Sequence, residues 1–201
     1  MTSPALWYAA RATGLTAMVL LSATTVLGLL TAARVSSARW PRFATQDLHR
    51  RVSLVALVFL AGHILSTVLD TYVHVGWAAI VVPFASPYKR LWVGAGAVAV
   101  DLLLAVAVSS LLRTRLAART WRSLHWLAYL SWPVAVLHGV GIGTDMRLGW
   151  VQVLTGGCVV AVAAAGAVRL ARLGAQRRRV GALPAVASRP RGVPVKHLAS
   201  R

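Results

Sequence analysis

Residues 12–33 run for 22 positions without a charged side chain. At about 1.5 Å of helical rise per residue, such a run crosses the roughly 30 Å of hydrocarbon in a bilayer. No water satisfies backbone N–H and C=O groups there, so only helices and closed barrels span. Stretches of similar length occupy residues 45–69, 91–112, 123–144 and 148–168. The chain is 58% hydrophobic and only 13% charged, against about 25% charged residues in soluble domains. The sequence therefore predicts an all-α integral membrane helical bundle of five transmembrane helices within residues 12–170.

Residues 1–11 read as a short extracytoplasmic N-terminus, with Trp7 and Tyr8 in an interfacial belt. No cleavable signal peptide is expected, because a basic n-region is lacking and the first apolar run is of full length. The second helix is expected to begin at Thr45 as N-cap, with Asp47 in its first turn. In residues 71–90 the apolar part, Val75 to Phe84, is too short to span and is broken by Pro83. Trp77 and Tyr88 mark it as an interfacial or re-entrant segment. Residues 171–201 combine basic clusters with Pro184, Pro190 and Pro194, which predicts a disordered, basic cytoplasmic tail. The single Cys158 excludes an intramolecular disulfide and any multi-cysteine metal site.

There are 22 Lys+Arg against four Asp and no Glu, for a formal net charge of +18. These charges lie between the apolar runs and in the tail, where anionic lipid is the expected partner and nucleic acid is not. Residues 34–51, 113–122 and the chain from Arg169 onward hold 5, 4 and 9 basic residues. The N-terminus, 71–90 and 145–147 hold 1, 2 and 1. The positive-inside rule then predicts a multi-pass cell-membrane protein with its N-terminus outside and its C-terminus cytoplasmic.

Two of these helices carry paired histidines. His49 and His63 are fourteen residues apart, which puts both on one helical face and roughly 21 Å apart in depth. His125 and His138 are thirteen apart on the fourth helix. Both helices enter from the cytoplasmic side in this topology, so His49 matches His125 near the inner surface and His63 matches His138 deeper. Ionisable residues inside a membrane helix mark function by default. Neutral imidazole is an axial haem ligand, and the macrocycle fits between facing helices of a bundle, so two stacked haems suit the pattern. Zinc suits it less, because ligands so far apart cannot share one ion and neither Cys nor carboxylate accompanies them. Thirteen steps leave His125 and His138 about 140° apart on an ideal helix, and Pro133 between them is the expected source of a kink or rewinding.

His49 and His63 separated by thirteen residues, then His125 and His138 by twelve, resemble the ferric reductase-like transmembrane domain superfamily. It includes ferric reductases, NADPH oxidases and the haem-binding membrane subunit of the bacterial methionine-sulfoxide reductase system. The helix start Arg11-Ala-Thr-Gly-Leu is similar to the bacterial members, and the resemblance covers about residues 10–170. It implies a membrane cytochrome b in which His49 and His125 ligate the iron of an inner haem b and His63 and His138 that of an outer one. Two haems are expected and one is possible. Electrons would pass from a cytoplasmic flavin reductase or flavoprotein to a periplasmic or extracellular acceptor. The chain would be the electron-transfer subunit of a transmembrane oxidoreductase. The family core usually has six helices, against five counted here. No G-x-G-x-x-G motif occurs, so the resemblance places the flavin on a partner protein. Two alternatives stay open: a single-haem subunit of a periplasmic repair reductase, and a non-redox scaffold or transporter with structural histidines.

Other residues admit two readings each. Arg50, Arg51 and Arg122 flank the inner pair and are candidates to bind haem propionates as charge-assisted pairs; setting topology explains them equally well. Gly62 and Gly139 adjoin the outer pair and suit either approach of a flat macrocycle or close helix packing. Asp101 suits a proton relay or a cavity-facing acid. Trp126 and Trp132 read as packing, Trp40, Trp92, Trp121 and Trp150 as interfacial, and His74 and His197 as without a role.

Overall fold

The computed structural model describes residues 4–35, 41–70, 73 and 75–181, with only the backbone of Arg42 and residues 179–181. Pro4 opens helix α1 (Pro4–Ala32), at the first helical position, where a missing N–H costs nothing. The helix closes on a Schellman motif in which Val35 N–H donates to the Leu30 carbonyl (3.1 Å) and Arg34 N–H to Thr31 (3.1 Å). Arg34 takes the left-handed conformation (φ 54°) that glycine usually fills there. Helix α2 (Arg42–Leu69) starts directly after Pro41. The expected cap at Thr45 is therefore wrong: Pro41 already holds the extended conformation that leads into a helix. Thr45 lies buried within the helix, and Asp47 pairs with Arg51 one turn on.

Helix α3 (Arg90–Leu111) falls within a residue of its expected bounds. The fourth expected span is two helices in tandem, α4 (Ala118–His125) and α5 (Leu127–Ile142). The break is at Trp126, not at Pro133, which sits inside α5. Pro133 withholds a hydrogen bond from the Tyr129 carbonyl, and the discontinuity falls just ahead of that turn. There Trp126 N–H is shared between Arg122 and Ser123, and Tyr129 N–H reaches back only three residues to Trp126. This 3₁₀ tightening turns the chain by about 120° per residue instead of 100°. It thereby rotates His138 toward the face of His125.

Helix α6 (Gly149–Gly181) continues well past the expected end of the fifth span. Residues 171–181, expected to be disordered, are helical, because Leu, Ala, Arg and Gln are strong helix formers and no proline intervenes before Pro184. Residues 182–201, including His197, lie outside the described residues, as do Trp40 and His74. Four helices are long and apolar enough to cross a membrane: Pro4–Ala32, Phe43–Leu69, Arg90–Leu111 and Gly149–Arg178. No strand occurs among the described residues. The chain is the all-α membrane bundle that its sequence predicts.

Helix α1 packs along α2 on one side and α6 on the other, while α3 packs along α5. Among the described residues α2 makes no extensive approach to α3, α4 or α5. The two halves thus meet across a gap, with α1 touching α5 at its margin. Residues 75–89 contain one 3₁₀ turn, Trp77–Ile80, and no membrane-length helix. Val75 and Ala79 bury against Val93 at one end of the gap.

Candidate functional site

The gap is where the four histidines converge. His49 and His63 project from α2 beside α1, and their contacts share one antiparallel register. His49 Nδ1 lies 3.0 Å from the Thr24 carbonyl, and His63 Nδ1 lies 2.8 Å from the Ala10 carbonyl. One turn beyond each carbonyl is a glycine. A Cβ on Gly28 would stand 3.4 Å from His49 Cε1, and one on Gly14 would stand 2.8 Å from His63 Nδ1. Gly14 and Gly28 are fourteen residues apart, the same interval as the histidines they face.

His138 uses the same device on the other side of the gap. Its Nδ1 lies 2.7 Å from the Trp92 carbonyl of α3, and a Cβ on Gly96, one turn on, would stand 2.7 Å from the ring. The Trp92 indole rests on Gly141 of α5, where a Cβ would approach to 2.0 Å. A carbonyl only accepts hydrogen bonds, so Nδ1 of His49, His63 and His138 carries the proton. Nε2 of each ring is left with its lone pair, the form in which imidazole ligates a metal.

The structure brings the histidines together as two pairs, His49 with His125 and His63 with His138. Ring centroids are 6.3 Å apart in both, with interplanar angles of 69° and 73°. Among the described residues no three His, Cys, Asp or Glu gather around a point, so each pair is two imidazoles with no third such side chain beside them. An apolar cavity adjoins His63 and His138, lined by Leu60, Ile64, Val93 and Ala135, with Val75 and Ile80 closing one end.

His125 is held differently. Its Nδ1 is buried without a hydrogen-bond partner among the described residues. Instead the ring stacks on Trp121, at 5.0 Å and 25°. The Arg113 guanidinium lies over that indole, 4.7 Å from its centroid.

The arginine candidates are less committed. Arg50, Arg51 and Arg122 are exposed. Arg51 pairs with Asp47 (2.7 Å), and Arg122 donates to the Ala118 carbonyl of its own helix (3.1 Å). A Cβ on Gly62 would stand 3.6 Å from a methyl of Thr13, which is helix packing, and one on Gly139 would meet nothing within 4 Å. Asp101 is half-buried on α3. Trp132 donates to Ser22 of α1 (2.9 Å), and Trp126 packs beside Tyr129 beneath Arg169. Trp150 is exposed at the start of α6.

Sequence reasoning missed Gly14, Gly28 and Gly96, and it read Trp92 and Trp121 as merely interfacial. The repeat of the fourteen-residue interval in Gly14 and Gly28 was the available signal. It also missed the ion pair of Arg11 and Asp145, which ties the α5–α6 connection to α1 beside Ala10. Arg11 further lies over the Trp7 ring, at 3.9 Å. Each is the one residue of its sign in a flank assigned to the same side of the membrane, a pattern that was there to be read.

An all-α membrane bundle with two facing histidine pairs defines a narrow class. The family model of the ferric reductase-like transmembrane component matches residues 13–140, which contain all four histidines. The chain belongs to that family, and so among membrane electron-transfer components. No curated protein and no solved structure matches it.

Proposed function

We propose that this chain is a membrane cytochrome b. It carries electrons from a cytoplasmic flavoprotein through two bis-histidine haems b to an acceptor on the outer side. The supporting observation is the ring separation. Nitrogens lie about 1.15 Å from the centroid of a five-membered ring with bonds of about 1.35 Å. With metal–nitrogen bonds of about 2.0–2.1 Å, as for zinc, two imidazoles on opposite sides of one metal have centroids about 6.4 Å apart. Both pairs stand at 6.3 Å. A scaffold with structural histidines has no reason to repeat that distance.

Haem iron supplies one-electron chemistry at each site. The protein does the rest. Backbone carbonyls fix the tautomer of His49, His63 and His138 so that Nε2 faces the gap. Glycines let those rings lie against the neighbouring helix. Apolar side chains and residues 75–80 keep water from the His63/His138 pair. His49 and His125 form the inner, entry site in this reading, and the basic residues at that end, with the Arg169–Arg178 stretch of α6, face anionic lipid and the donor. The outer acceptor receives the electron at the His63/His138 end.

The test is haem content and a reduced-minus-oxidised spectrum of the purified chain after haem-replete expression. Two haems per chain with low-spin b-type bands are expected. No haem sinks the reading, and one per chain replaces it with the single-haem subunit.

A further inference from the structure

The four imidazoles are not held alike. Three donate Nδ1–H to a carbonyl one turn before a glycine of the neighbouring helix. His125 does not, and the register of α3 against α4 and α5 explains why. Gly96 lies opposite His138; counting thirteen residues along both chains from that contact pairs Ser109 with His125. Four residues further, Arg113 falls opposite Trp121, and that pair is in contact. A side chain thus stands at position 109 where the other three sites have none. Ser109 is buried and spends its hydroxyl on the Val106 carbonyl (3.0 Å). His125 Nδ1 bonds no carbonyl among the described residues, and the ring stacks on Trp121 instead. The indole Nε1 is itself buried without a hydrogen-bond partner among the described residues, so Trp121 is held through its ring, by Arg113 and His125.

The difference has a redox consequence. A carbonyl that draws on the Nδ1 proton makes the ligating nitrogen more basic, which favours ferric over ferrous iron. His125 lacks that carbonyl. The Arg113 guanidinium over Trp121 adds a positive charge close to His125, which also disfavours the more positive ferric state. Both influences have the same sign. At the other site both rings are bonded to carbonyls, and the nearby Arg11 is neutralised by Asp145.

We propose that Trp121, in contact with both Arg113 and His125, is the positioning residue of the His49/His125 iron site, and that this carbonyl-free arrangement raises the site's midpoint potential. The inference rests on the two-haem reading. Its effect is to favour uptake of one electron from the flavin donor, which is oxidised as this site is reduced, with no bond made or broken.

The experiment is potentiometric reduction of the full-length, haem-loaded chain, followed by absorption and low-temperature electron paramagnetic resonance. The component missing in His125→Ala identifies the site. Arg113→Gln, an exposed change, and Ser109→Gly, which opens the path to the backbone, are each expected to move this component's ferric-to-ferrous ratio three- to tenfold toward ferric at fixed potential. Tenfold corresponds to 59 mV for a one-electron couple. The other component should stay in place. Trp121→Leu should shift and broaden the resonance of this component alone, and Trp121→Phe, which keeps a stacking face, should restore it. Equal shifts in both components, no shift, or a shift toward ferrous overturns the inference while leaving the two-haem reading intact. Failure of the wild-type chain to bind haem at His49/His125 overturns the reading itself, and this inference with it.

Discussion

The imidazole of His63 occupies the space that a side chain at Gly14 would need. A Cβ there would stand 2.8 Å from His63 Nδ1, and the same nitrogen donates to the Ala10 carbonyl one turn earlier. Ring and backbone are so close that the glycine is part of what holds the imidazole in place.

Gly14→Val and Gly96→Val should therefore displace His63 and His138 and weaken haem retention at that pair by ten- to a hundredfold, the usual effect of losing a ligand's outer support. The haem-to-protein ratio after detergent purification checks this, with an expected fall from two toward one. Gly28→Ala, facing His49 at 3.4 Å, should be milder, and Gly139→Ala, facing nothing within 4 Å, should be silent.

The pairing itself predicts a pattern among histidine variants. His63→Ala and His138→Ala should each abolish the same spectral component, and the double variant should lose nothing further. His49→Ala and His125→Ala should behave likewise with the other component. Four variants resolving into four distinct spectra would refute the pairing.

Arg11 and Asp145 join α1 to the α5–α6 connection, each with about a fifth of its side chain exposed (22% and 19%). Removing one partner of a mostly buried pair leaves a charge uncompensated, at about 2–4 kcal/mol once partial exposure is allowed for. Arg11→Gln and Asp145→Asn should each lower the thermal midpoint in detergent. Combining Arg11→Asp with Asp145→Arg should recover part of the loss; no recovery would show that the two do not act as a pair.

Charge asymmetry predicts the orientation. Cysteines placed at Arg115 or Arg177, in a Cys158→Ala background, should react with a membrane-impermeant maleimide only after the inner face is opened. One placed at Ala85 or Arg147, both exposed, should react in intact cells. The reverse pattern would invert the proposed direction of electron flow.

Sequence alone determined where the apolar helices lie, the flanks that carry positive charge, and the spacing of the histidines along the chain, though not the helix ends: α1 already begins at Pro4 and the fourth span is two helices. Those quantities follow from residue count, charge and a fixed rise per residue along one helix, so they are written linearly in the chain. Tertiary structure decided what lies beside what. Gly14 and Gly28 repeat the interval of His49 and His63, yet only the antiparallel register of α1 on α2 shows which glycine faces which ring. The thirteen-residue spacing of His125 and His138 looked off-face on an ideal helix, and the break and tightening at Trp126 turned them toward the same gap. The different mounting of His125 depends on Arg113, just past the end of α3, meeting Trp121 of α4. Register and local rewinding are set by packing between segments, because many registers satisfy the same apolar pattern and only side-chain fit chooses among them.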